Sequence, residues 1–277
     1  MRYSGATAVI TGAGSGIGRA LAVELASRGS ALALSDVDEA GLAETVERCA
    51  GAGALVRGYR LDVSDREAVL SHAGTVASDF GRVDLVINNA GVAVVATVAE
   101  MSWADFDWLM GVNFWGVVHG TKAFLPHLLA SGDGHLVNIS SVFGFIGVPS
   151  QSAYNSAKFA VRGFTEALRQ EMVAERKPVV VSCVHPGGVR TNIVRNSRIS
   201  GAGSAGRDKL VADFARLART TPEQAAATIL RGVERGRARI LVGPDAYAID
   251  AVARVLGSGY EGLLARFSRR AGTGSTG

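Results

Sequence analysis

Residues 6–10 form a short apolar run that breaks into Thr11-Gly12-Ala13-Gly14-Ser15-Gly16-Ile17-Gly18, and an amphipathic stretch then continues to Arg28. Strand, glycine-rich turn and helix in that order restrict the chain to α/β folds in which a helix returns along its strand. The same arrangement aims main-chain N–H groups and a helix N-terminus at a pyrophosphate. Glycines also serve tight strand–helix packing. The flanking elements favour cofactor binding, although the strict G-x-G-x-x-G spacing is absent.

Further apolar runs follow at 31–35, 55–61, 83–87, 134–139, 179–184 and 240–242. Helical patterns separate them at 42–50, 103–129, 152–173 and 222–235. This alternation predicts a Rossmann-type α/β fold: a doubly wound parallel sheet of about seven strands with helices on both faces. With 48% apolar and 19% charged residues, the chain can cover both faces of such a sheet. The second strand ends at Asp36, placed to accept hydrogen bonds from the two adenine-ribose hydroxyls of a dinucleotide. Alternatively Asp36 caps the helix that starts near Asp38. Asp62 and Val63 close the third strand, with Ser64 as the expected cap of the next helix.

Two distant cysteines, Cys49 and Cys183, read as reduced thiols of an intracellular protein. No signal-peptide pattern precedes the first strand and no apolar run reaches membrane-spanning length, so a cytoplasmic location is expected. Up to Ile199 there are 17 Lys and Arg against 18 Asp and Glu, a balance of −1; from Ser200 onward there are 12 against 7, a balance of +5. No aromatic–basic interleaving accompanies this excess, which reads as a solvated surface and not as a nucleic-acid site.

The chemistry-bearing stretch is 140–158, with a hydroxyl at Ser141, a phenol at Tyr154 and an ammonium at Lys158. On a helix, Tyr154 and Lys158 stand at i and i+4 on one face. A nearby ammonium is expected to lower the phenol's pKa and make it a usable acid–base group. Ser141 can hydrogen-bond the oxygen on which charge develops. Asn155, Ser156 and Ala157, between Tyr and Lys, are expected to face away from that side. His185 has a pKa range suited to a general base, yet the hydroxyl, phenol and ammonium explain the chemistry without it.

Ser141, Tyr154 and Lys158, the Thr11-Gly12-x-x-x-Gly16-x-Gly18 turn, the Asn88-Asn89-Ala90-Gly91 stretch and Pro186-Gly187-x-Val189-x-Thr191 together resemble the classical short-chain dehydrogenases/reductases. The likeness runs from about residue 6 to about residue 242. It implies that Ser141, Tyr154 and Lys158 are catalytic and that Asn113 holds a water linking Lys158 to solvent. It implies cofactor contacts from Gly12, Ser15, Gly16, Ile17, Gly18, Asp36, Asp62, Val63, Asn89, Ala90, Gly91, Tyr154, Lys158, Pro186, Gly187, Val189 and Thr191, with Asn88 mainly structural and Ser140 supporting the backbone or the cofactor. Ser15 and Val37, where NADP-preferring relatives often carry a basic residue, are neutral, which with Asp36 points to NAD. No metal is expected.

The expected activity is NAD-dependent hydride transfer at the CH–OH/C=O carbon of a largely apolar alcohol or ketone, with Val92, Val94, Phe143, Gln151, Ile193 and Val194 lining the substrate pocket. Rival readings are an NADP-dependent ketone or 3-ketoacyl reductase, which Asp36 disfavours, and a non-catalytic dinucleotide-binding regulatory protein. A homodimer or homotetramer is expected. Residues 192–208 read as a lid or mobile loop. Residues 1–244 form the expected catalytic domain. Residues 245–270, with Ala248, Ile249, Val252, Val255, Leu256, Leu263, Leu264 and Phe267, form an amphipathic helical extension, and 271–277 a disordered tail. The extension suits an oligomer contact or a cover for the domain better than a peripheral membrane anchor.

Overall fold

The computed structural model describes residues 1–199, 208, 211–213, 215, 216 and 218–262. The chain runs through β1 (Thr7–Thr11), α1 (Gly16–Ser27), β2 (Ala31–Asp36), α2 (Glu39–Gly51), β3 (Val56–Arg60), α3 (Arg66–Phe80), β4 (Leu85–Asn88) and β5 (Val94–Val95). It continues with α4 (Trp103–Met110), a π turn (Gly111–Trp115), α5 (Gly116–Ser131), β6 (Gly134–Ile139), a 3-10 turn (Val142–Gly144) and α6 (Ser152–Ala174). Among the described residues, the remaining elements are β7 (Val179–Pro186), β8 (Arg198–Ile199), α7 (Pro222–Glu234), β9 (Arg239–Val242), α8 (Pro244–Leu256) and a 3-10 turn (Gly257–Gly259). The expected apolar residues Leu263, Leu264 and Phe267 and the tail 271–277 lie outside the described residues, as do 200–207 of the expected lid.

All seven apolar runs are strands of one sheet, ordered β3-β2-β1-β4-β6-β7-β9 and parallel at every pairing. Alternation explains why both faces are covered, since successive side chains of a strand point to opposite sides. Ala8 and Ile10 of β1, Leu32 and Leu34 of β2, and Leu85 and Ile87 of β4 enter one core with Leu21 and Leu25 of α1 and Ile229 and Leu230 of α7. The residues between them, Val9, Ala33 and Val86, enter the other core with Val76 of α3, Phe124 of α5 and Leu168 of α6. Strand order reverses between β1 and β4, and the crevice at that switch point is where ligands bind in open α/β sheets.

Three local expectations are corrected. The helical pattern over 103–129 is α4, the π turn and α5 in succession. Asp65, not Ser64, caps α3, accepting from Ala68 N–H at 3.0 Å, while Ser64 bonds to Asp62. Asp38 caps α2 by accepting from Gly41 N–H, which leaves Asp36 free of that role. Two short strands not expected from the sequence, β5 and β8, form a separate parallel pair. Cys49 and Cys183 are buried and unpaired. Among the described residues, no helix is long and apolar enough to cross a membrane.

Candidate active site

The glycine turn closes on itself so tightly that side chains are excluded. A Cβ on Gly18 would lie 2.1 Å from Gly12 O, and Gly12, at φ 65°, faces Ala90 Cα so that a Cβ would approach to 2.7 Å. Asn89 holds this contact from the far side: its Nδ2 donates to Thr11 O at 2.9 Å and to Gly12 O at 3.1 Å. Thr11 Oγ1 in turn accepts from the N–H groups of Asn89 and Ala90. Ser15 precedes α1 in extended conformation without a side-chain capping bond, and the first turn of α1 carries no acidic residue. A helix N-terminus left in that state suits an anion.

At the end of β2, Asp36 accepts from Gly14 N–H at 2.8 Å and from Asp38 N–H at 3.0 Å. The basic residues nearby are already paired: Arg57 with Asp79 at 2.6 Å and Arg60 with Glu39 at 3.1 Å. Asp62 is exposed and Val63 is buried behind it, with Val63 O against His119 Nδ1. Across the crevice, Thr191 lies opposite Gly16, where a Cβ would come within 3.1 Å of Thr191 Cγ2. Pro186, Gly187 and Val189 lead to it from the end of β7, with Val189 buried and bridged to Thr220. The glycine cradle, the uncapped α1 N-terminus and the acceptors of Asp36 lie along one crevice and fit a dinucleotide.

Ser141, Tyr154 and Lys158 come together just beyond the carboxyl end of β6. Ser141 Oγ accepts from Phe143 N–H at 3.1 Å and starts the 3-10 turn. A hydrogen bond from Ser141 reaches the half-buried Tyr154. Lys158 is buried; its Nζ donates to Ile139 O at 2.9 Å and lies 5.6 Å from the centroid of the Tyr154 ring. Ser140 Oγ donates to Lys158 O at 2.8 Å, tying α6 to β6. Asn113 is fully buried on the π turn, an irregularity frequent at functional sites. Its amide grips Val92 at both ends, accepting from the N–H and donating to the C=O, each at 2.8 Å. Gly91 lies between these groups: a Cβ there would be 3.4 Å from Asn113 Oδ1 and 3.7 Å from Lys158 Nζ.

The electrostatics differ from the expectation. Burial pushes the Tyr154 phenol up to about 12, with the Ser141 hydrogen bond opposing the rise. Burial also pushes Lys158 down to about 8. The ammonium sits beside the ring and bonds to a carbonyl, so in the protein by itself it does not bring the phenol down. His185 is neutral, held to about 4 by burial. Its Nδ1 lies 3.1 Å from Ser141 O, which can only accept, so the proton sits on Nδ1 and Nε2 is an acceptor without a partner among the described residues. The ring stacks on Phe145 at 4.2 Å.

The Tyr154 ring is flanked by apolar groups. Val92 and Val94 share its hydrophobic cluster, and Phe143 meets it edge-on at 6.1 Å. Gln151 directly precedes α6, after Ser150, which takes a left-handed φ of 63° and whose carbonyl accepts from Ala96 N–H at 3.1 Å. Ile193 and Val194 lie half-buried in the turn before β8, the strand that pairs with β5. Arg198 pins that pairing: it stacks 3.7 Å over Trp108 and bonds Asp105 at 2.9 Å, holding the Asp105 carboxyl below its ordinary range.

Asn155 is a contributor the sequence did not disclose. Expected to face away from the Tyr/Lys side, it is buried and bonds the main chain of Phe143, Ile146 and Val148. The wall that carries Phe143 is thus fixed by the neighbour of Tyr154.

The profile of the short chain dehydrogenases matches residues 6–200 of this chain. A Mycobacterium tuberculosis protein named SadH is 56% identical over 266 residues, 95% of each chain. Human estradiol 17-beta-dehydrogenase 11 is 37% identical over 198 residues, 71% of this chain and 66% of that protein. The crystal structure of a short chain dehydrogenase/reductase from Burkholderia phymatum in complex with NAD matches with a TM-score of 0.86 at 35% identity, over 94% of this chain and 96% of that one.

Proposed function

The chain belongs to the short-chain dehydrogenases, oxidoreductases that bind a nicotinamide dinucleotide, and from that premise we propose that it moves a hydride between NAD and the CH–OH/C=O carbon of a largely apolar alcohol or ketone. The observation that carries this reading is the convergence of Ser141, Tyr154 and Lys158 at the carboxyl end of β6, beside the crevice and among apolar side chains. NAD, when bound, supplies the hydride acceptor or donor.

In the direction of oxidation Tyr154 takes the hydroxyl proton, while Ser141 orients that oxygen through its hydrogen bond. Lys158 holds the proton balance of the phenol and binds the nicotinamide ribose. Asn113 fixes Val92 beside the reacting carbon and joins the proton relay to solvent. Gly12, Ser15, Gly16, Ile17 and Gly18 hold the pyrophosphate, Asp36 the adenine ribose, and Asp62 and Val63 the adenine. Asn89, Ala90 and Gly91, with Pro186, Gly187, Val189 and Thr191, enclose the nicotinamide half. Val92, Val94, Phe143, Gln151, Ile193 and Val194 receive the substrate, and their apolar majority sets its class. Exposed Trp115 on the π turn and Phe159 on α6 support a homodimer or homotetramer in which those faces are covered.

NAD is favoured over NADP because Asp36 faces the ribose position and the neighbouring arginines are already bound to carboxylates. A phosphate placed against Asp36 meets a like charge, a juxtaposition that costs several kcal/mol, so NAD should bind at least about tenfold tighter. Side-by-side fluorescence titrations with the two cofactors check this. Equal or tighter binding of NADP would overturn the assignment and turn attention to the Arg57 and Arg60 pairs.

A further inference from the structure

We propose that Asp245, at the start of α8, is a positioning residue that fixes the main chain of residues 187–189 and thereby controls binding of the nicotinamide half of the cofactor. The inference rests on the reading of this loop as part of a NAD site.

Asp245 Oδ2 accepts from Gly188 N–H at 2.6 Å, across 57 residues of sequence. The carboxylate enters space that only a glycine at 187 leaves open: a Cβ there would lie 2.2 Å from Oδ2 and 2.4 Å from the carboxylate carbon. Main-chain bonds hold the rest of the loop, with Gly187 N–H donating to Val242 O, Arg190 N–H to Thr220 O and Thr220 N–H to Gly188 O. These bonds leave the N–H groups of Gly188 and Val189 unused, and Asp245 serves that of Gly188. A charged acceptor makes the stronger kind of hydrogen bond.

A simpler role as helix cap does not account for this geometry. The residue at the cap position of α8 is Gly243, with no side-chain capping bond, and the Asp245 carboxylate points at the loop after β7. The same loop ends at Thr191, against Gly16 of the glycine turn. Asp245 therefore ties α8 to this loop, while Ala246 and Ile249 of the same helix pack with Val142, Phe143 and Phe145.

Titrating the full-length protein with NADH and with ADP-ribose, which lacks the nicotinamide, separates positioning from general damage. Asp245→Ala should raise the Kd for NADH about tenfold, as expected when an N–H loses a charged acceptor, and leave ADP-ribose within about twofold. Asp245→Asn, which keeps the volume and one acceptor oxygen, should fall between wild type and Asp245→Ala and serves as the test where Asp245→Ala does not fold. The emission of bound NADH should change in the same order, because it reports the surroundings of the nicotinamide. Equal weakening of both ligands, or of neither, would overturn the proposal. Wild-type protein that binds neither ligand would instead remove the NAD reading on which it stands.

Discussion

Tyr154→Phe should lower turnover by about 10²–10⁴-fold, the range that a positioned acid–base group contributes. The substitution keeps the ring, its edge-on contact with Phe143 and its place in the Val92–Val94 cluster. It deletes the phenol oxygen and with it the hydrogen bond from Ser141. NADH affinity should stay within about twofold, since the loss falls on the proton transfer and not on uniform binding. Steady-state rates on a fixed alcohol, set beside a binding titration, check both halves. Wild-type turnover in Tyr154→Phe would remove the phenol from the mechanism. His185 is a poor successor, because it is buried, neutral and turned toward the Ser141 carbonyl.

Lys158→Met should have two effects of opposite sign. Turnover should fall at least about 10²-fold, since the phenol loses the group that shares its proton. Stability at neutral pH should rise. The folded protein holds the Lys158 pKa down to about 8 against an ordinary 10.5 because burial penalises the charge. Below pH 8 the side chain is protonated in both folded and unfolded protein, and the full penalty of about 3 kcal/mol is present. Between pH 8 and 10.5 the unfolded chain binds more protons, so wild-type stability climbs with pH, and above 10.5 the penalty is gone. Leaving Ile139 O without its donor offsets about 1 kcal/mol or more, so the variant should gain about 1–2 kcal/mol at pH 7. Thermal melts at pH 7 and pH 10 check it: the variant should lead at pH 7 and lose that lead at pH 10. A variant less stable at pH 7 would show that the ammonium is well solvated in its site.

The same pair sets the pH profile of oxidation. Removing one proton from phenol plus ammonium leaves a pair that can exist as phenol with amine or as phenolate with ammonium, at the same proton count. Burial makes Lys158 the group that gives up the first proton, at about 8, and oxidation should rise through that value. In Lys158→Met that limb should move upward, toward the buried phenol.

What the sequence disclosed was governed by short-range pattern. The glycine turn, the seven apolar runs and the i, i+4 spacing of Tyr154 and Lys158 are local features, and each has one physical solution in a two-faced parallel sheet. The contacts that complete the site are not local. Nothing in Gly111–Trp115 distinguishes a π turn from the helices on either side, yet that turn carries Asn113. The β5–β8 pair is two residues long on each strand, too short for alternation to show, and its partners lie about a hundred residues apart. Asn155 is polar on a face expected to be idle, and its three main-chain partners come from the loop that precedes it. Asp245 reads as an ordinary first-turn acidic residue until β9 brings it beside the loop after β7. The phenol's rise to about 12 likewise reflects burial, which spacing does not reveal.

Hydride transfer to the nicotinamide is tested most directly with an apolar secondary alcohol deuterated at its carbinol carbon. The protein is incubated with NAD and a series of such alcohols, and the reduced cofactor is analysed by mass spectrometry. The expected result is one deuterium in NADH for each ketone formed, with the yield strongly reduced in Tyr154→Phe. Ketone formed without label in the cofactor, or NAD bound while no alcohol in the series is oxidised and no matching ketone is reduced, would contradict the account.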